Sequence, residues 1–124
     1  MKAKAIEFNQ EIENRIEMQI IVDTYDESEA AMGWYCYLQD SMVFPFAAKC
    51  IKLVSASPLL LDETVEVIAM DKAENCEHEM LVEVKWRGEM ICVPLEQLDA
   101  IDIDDKTNQA ISDWVYWVAQ GYCF

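Results

Sequence analysis

The feature that most constrains this chain is a change of hydrophobic period at Phe44-Pro45-Phe46. Before it, apolar residues recur at helical spacing. Ile12, Ile16, Ile20 and Ile21 fall on one stripe of residues 10–25, with Glu11, Glu13, Arg15, Glu17 and Gln19 on other faces, which predicts an amphipathic helix. Ser28 is placed to cap a second helix from about Glu29 to Gln39, which brings Ala31, Trp34, Tyr35 and Leu38 to one side. The proline ends helical character, because the residue before it avoids the α region. After it the period is 2. Val65, Val67 and Ala69 alternate with Glu66 and Ile68, and Val82, Val84 and Trp86 with Glu83, Lys85 and Arg87. Gly88-Glu89 predicts a tight hairpin into a strand from Met90 to Val93, Phe46 to Val54 is a weaker strand, and Val93 to Leu98 leaves a strand for a short helical turn.

Helical spacing returns at Ile111, Trp114, Val115 and Val118, with Thr107 or Asn108 as cap and Gly121 as stop. The expected class is α+β: two N-terminal helices, a small curled antiparallel sheet or SH3-like partly open barrel of four to five strands, and a C-terminal helix. No repeat or linker divides the 124 residues, so one domain spans 1–124.

Charge narrows the partners. Twenty-four acidic residues against nine basic ones give a net charge of −15. Such a field repels nucleic-acid phosphates and anionic membranes, and it attracts cations and basic protein surfaces. The apolar fraction of 53% argues against disorder. No apolar run approaches the ~20 residues of a membrane span, and Met1-Lys2-Ala3-Lys4-Ala5 is followed by no secretory h-region. Cys36, Cys50, Cys76, Cys92 and Cys123 form no C-x-x-C pair, which predicts reduced thiols and a cytoplasmic location.

Catalytic and soft-metal motifs fail. His78 is the single histidine and has no orienting partner in its neighbourhood, and Cys76 with His78 makes one loose pair where zinc wants four close ligands. A non-enzyme is expected. Hard cations fare better, because calcium takes 6–8 oxygen ligands from carboxylates and carbonyls. Three acidic regions qualify: Asp40 beside Ser41; the loop holding Asp71, Glu74, Glu77 and Glu79; and Asp99 to Asp113. Asp102, Asp104, Lys106, Asn108 and Asp113 imitate EF-hand positions, but a lysine occupies a ligand position and Thr107 stands where glycine is required, so an EF-hand is rejected.

An ordered set of short segments carries a family resemblance. Met32-Gly33-Trp34-Tyr35, Tyr37-Leu38-Gln39-Asp40, Phe44-Pro45-Phe46, Ser57-Pro58-Leu59, Cys76-Glu77-His78-Glu79-Met80, Val93-Pro94-Leu95, Ala110-Ile111-Ser112-Asp113-Trp114 and Tyr116-Trp117 resemble the small cyanobacterial calcium-binding proteins of the CcbP type, from about Ile12 to Phe124. The resemblance implies helices combined with a small β-structure and reversible calcium binding for buffering or signalling. It also implies that the acidic residue after Tyr37-Leu38, which is Asp40, matters for binding. Gln39 and Asn75 are neutral where that pattern leads one to expect acids.

The reading is therefore an acidic cytoplasmic calcium buffer or sensor. Its candidate ligands for Ca2+ are Asp40, Asp71, Glu74, Glu77, Glu79 and Asp113, and they would converge if the second helix packed over the sheet. Tyr35, Tyr37 and Tyr116 are candidates for the rim, whereas Trp34, Trp114 and Trp117 belong to the core. The rival is an acidic small-barrel module that binds a basic protein partner or imitates DNA.

Overall fold

The computed structural model describes residues 8–22, 26–55 and 57–122. Helix α1 (Gln10–Arg15) is capped by Asn9 and runs into a π turn, Ile16–Ile20. Helical structure thus stops at Ile20, short of the expected 25, and Asp23 to Tyr25 lie outside the described residues. Ile16 and Ile20 are buried as their spacing requires. Helix α2 (Glu27–Ser41) starts two residues earlier than expected, because Asp26 rather than Ser28 is the cap, its carboxylate accepting the Glu29 N–H. Gly33 lets α2 meet the π turn closely, since a Cβ there would run into the Ile20 carbonyl oxygen.

Five strands follow: β1 (Phe46–Cys50), β2 (Thr64–Met70), β3 (Leu81–Trp86), β4 (Glu89–Pro94) and β5 (Leu98–Ile101). They form one antiparallel sheet in the order β4-β3-β2-β1-β5. Only a 3-10 turn, Leu95–Gln97, joins the two edge strands β4 and β5. Four residue steps reach at most about 14 Å, whereas four strand spacings in a flat sheet span about 19 Å. The sheet must curl to let the chain cross, which gives the partly open form the sequence predicts.

Two local features depart from expectation. The hairpin turns at Arg87-Gly88, not Gly88-Glu89; both residues have positive φ (49° and 81°), and Trp86 pairs with Glu89. A β-bulge at Ile68 breaks the simple alternation of β2, so Val65, Val67 and then Met70 are buried in place of Ala69. Asp71, the residue just past β2, is only 8% exposed. Strand β5 was hidden in the sequence within the acidic run that begins at Asp99.

Helix α3 (Asp105–Ala119) is capped by Asp104, and Gly121 at φ 86° follows its end. Thr107, an expected cap, is instead buried, and its hydroxyl accepts the Val43 N–H at 3.0 Å. That bond fixes the end of α2 against the first turn of α3. Between the helices, Trp34, Trp114 and Trp117 stack edge-on and face-on with centroids 5.1–5.6 Å apart. The Trp114 indole N–H reaches Glu96 at 3.0 Å, tying α3 to the turn between β4 and β5.

Candidate metal centre

The six candidate carboxylates divide into two kinds. Asp113 is 1% exposed, and both of its oxygens are held. Arg15 grips it in a fork, Nη2 to Oδ1 at 2.5 Å and Nε to Oδ2 at 3.1 Å, and the Tyr37 hydroxyl donates to Oδ2 at 2.9 Å. The Asp113 carboxylate raises the Arg15 pKa. Burial first, then the same carboxylate, pushes the Tyr37 phenol up to about 12. Asp113 therefore joins α1, α2 and α3.

Asp71 is also committed. Its Oδ1 accepts the Lys72 N–H at 2.8 Å and the Asn75 amide at 3.4 Å, while its backbone carbonyl accepts the Tyr35 hydroxyl at 2.7 Å. Asn75, neutral where an acid is expected from the resemblance, is thus a donor that closes the loop onto Asp71; a carboxylate could not donate. The Asp71 carboxylate also neighbours Cys92, whose thiol is pushed up to about 11 by burial and then by Asp71.

Asp40, Glu74, Glu77 and Glu79 are exposed, and none has a hydrogen-bond or ion-pair partner among the described residues. Glu74 and Glu77 line a cleft of about 290 Å³ whose opposite wall is Ser28, Ala31, Met32 and Tyr35 of α2. The loop therefore faces the first half of α2. At 1.5 Å per residue, Asp40 stands about 7.5 Å further along the axis than Tyr35. Its chain neighbour Ser41 shares a groove with Asp105, Lys106 and Gln109 at the start of α3. Among the described residues, no three Asp, Glu, His or Cys side chains already gather around a common point.

The donors at the end of α2 suit a hard cation. Met42 N–H bonds to Leu38 O, but Val43 N–H is diverted to Thr107, so among the described residues no N–H takes the Gln39, Asp40 or Ser41 carbonyl. These carbonyls lie at the negative end of the helix dipole beside the Asp40 carboxylate. Every unpartnered donor here is an oxygen, the ligand type calcium prefers. Sequence reasoning missed this contribution from α3. It also missed Arg15 as the partner of Asp113; a lone cation flanking the isoleucine stripe of an acidic helix was the available sign.

Exposed carboxylates and unpartnered carbonyls are donors that suit a cation-binding class of protein, and the comparisons with known proteins show that class. The family profile described as calcium binding, of the CcbP type, matches residues 14–118. The chain belongs to that family. It is similar to the crystal structure of Anabaena CcbP, with 43% identity, a TM-score of 0.85, and coverage of 96% of this chain and 98% of that one. It is also similar to a calcium-binding protein in its calcium-binding form, with 42% identity, a TM-score of 0.84, and coverage of 94% and 95%. No curated protein matches it significantly.

Proposed function

We propose that this chain binds calcium reversibly through its exposed carboxylates, with Asp40 and the carbonyls of Gln39 to Ser41 as one donor group and Glu74 with Glu77 as another. The observation that carries this is the unpartnered set of oxygens at the end of α2, in a member of a calcium-binding family. Asp71 and Asp113 act indirectly, by closing the 71–79 loop and by holding α2 to α3. A site other than an EF-hand is supported by Asp102, which follows β5 in a left-handed conformation, by Asp104, which caps α3, and by Asp113, which pairs with Arg15. Bound calcium would neutralise part of the net charge of −15, which opposes compaction.

The physiological reading is a calcium buffer or sensor in a reducing cytoplasm, the compartment that suits scattered thiols, and it assigns the chain to binding rather than catalysis. Titration calorimetry of chelator-stripped protein tests it. Calcium should bind in the micromolar to millimolar range, and magnesium should compete poorly because it demands a tight octahedron. A ligand at one hundred times Kd adds about 2.7 kcal/mol, on the order of a 10 °C rise in melting temperature. Coincident melting curves in calcium, in magnesium and in sodium chloride of equal ionic strength would reduce the acidity to surface charge. Amide exchange with and without calcium separates buffer from sensor, since only a sensor must redistribute protection.

A further inference from the structure

Strand β5 is an edge of the sheet, and its outward side has a defined polarity. Cys50 of β1 spends its N–H and C=O on the side of β2, through Glu63 O and Asp62 N just before that strand, while Ile51 N–H donates to Gln97 O. Bonding therefore alternates along β1: Lys49 pairs in hydrogen-bonded fashion with Asp99, and Ala48 faces Ala100 without bonds between them. The N–H and C=O of Ala100 consequently point away from β1, and among the described residues neither has a partner.

Beside that edge runs a groove of about 360 Å³ between β5 and α3. Leu98, Asp99 and Ala100 all line it. Successive side chains of a strand point to opposite faces, so three in a row mean that the strand's edge itself forms the wall. The opposite wall is largely apolar, with Ile103, Ile111 and Val115, and Asn108 and Ser112 of α3 interrupt it. An apolar groove beside unpaired strand amides is what an added strand needs: main-chain bonds for affinity and pockets for alternate side chains.

We propose that this groove takes an extended basic segment of a partner protein as a sixth strand, paired along Ala100 and with alternate apolar side chains against Ile103, Ile111 and Val115. Charge selects this occupant. Asp99 lines the groove and is exposed, and the whole chain carries −15, so a Lys- or Arg-bearing strand is attracted while a second copy of this chain is repelled. The surface is separate from the calcium donors and does not depend on them.

The test is fluorescence anisotropy with a labelled synthetic peptide of alternating valine and lysine, against a control of equal charge with serine for valine. Both are measured in chelator and again in calcium; the chelator arm decides the groove whatever calcium does. The valine peptide should bind at least about tenfold tighter than the control. Ala100→Pro removes an N–H that the fold does not use, and Ser112→Arg places a cation on an exposed groove position. Each should weaken the valine peptide about tenfold and leave calcium titration unchanged. If Ala100→Pro melts early, Ser112→Arg alone decides. Equal binding of both peptides, or undiminished binding to Ser112→Arg, overturns the proposal. So does self-association in sedimentation that Ser112→Arg abolishes, which would make the occupant a second copy.

Discussion

The carboxylates of Asp113 and Asp40 lie on neighbouring helices of one protein and meet opposite fates. Asp113 sits where α3 faces α1 and α2, and Arg15 and Tyr37 hold both of its oxygens. Asp40 sits on the last turn of α2, exposed and without a partner among the described residues. The difference teaches how a chain with 24 acids and 9 bases stays folded and still presents negative charge. Cations are scarce, so phenols supply donors. Tyr37 donates to Asp113, Tyr116 and Tyr122 donate to Glu13 at 2.6 and 2.9 Å, and Tyr35 donates to the Asp71 carbonyl. Asp113 and Glu13 in the helix layer are held by hydrogen-bonding neighbours, whereas Asp40, Glu74, Glu77 and Glu79 have no such partner among the described residues.

The comparison breaks most visibly at Asp113. Asp113→Asn removes a charge partner from Arg15, and breaking a buried pair costs about 3–5 kcal/mol. Arg15 is 26% exposed, so solvent screening brings the cost to or below the bottom of that range. A loss of about 2–3 kcal/mol, on the order of 10 °C in melting temperature, is expected by calorimetry. The calcium affinity of the folded fraction should change little. A tenfold loss of affinity with no thermal shift would make Asp113 a ligand and erase the distinction.

Asp40→Asn should do the reverse. Calcium affinity should fall about tenfold, one decade per ~1.4 kcal/mol, while the apo melting temperature stays or rises slightly as a repulsive charge is lost. Unchanged titration would remove Asp40 from the donor set. Glu74→Gln combined with Glu77→Gln sharpens the contrast between the two exposed groups. If the α2 cleft holds its own ion, one calorimetric binding step disappears and the step lost in Asp40→Asn persists.

The smallest effect is alkaline. Folding raises the Tyr37 pKa from 10 to about 12, through burial and then Asp113. A folded pKa above the unfolded one favours the protonated native state. The associated stability is fully present below about pH 10 and is lost as pH climbs toward 12. Tyr35, Tyr116 and Tyr122 shift in the same direction. Denaturant melts between pH 9 and 12, followed by tyrosinate absorbance, should show the loss. In Asp113→Asn the midpoint of Tyr37 should move back toward 10, and an unmoved midpoint would leave burial as the whole cause.

Much of this was legible in order along the chain. The period change at Phe44-Pro45-Phe46 separated the N-terminal helices from the sheet, the stripes of Ile16, Ile20, Trp34, Leu38 and Trp114 identified buried faces, and Gly121 marked the end of α3. Periodicity is a local property, so it survives without knowledge of neighbours. Strand β5 escaped because four residues beginning Leu98-Asp99 carry too little alternation to stand out from an acidic run. The bulge at Ile68 escaped because an extra residue leaves no mark in composition.

By itself the sequence determined the α+β class, the charge that admits cations, and the pool of carboxylates from which a site could be drawn. Only the tertiary structure decided which carboxylates remain available. Arg15 lies 98 residues from Asp113, and the Thr107 hydroxyl that frees the end of α2 lies 64 residues from Val43. A carboxylate reads the same in sequence whether it meets a guanidinium or water, because its state depends on burial and on partners brought in by the fold.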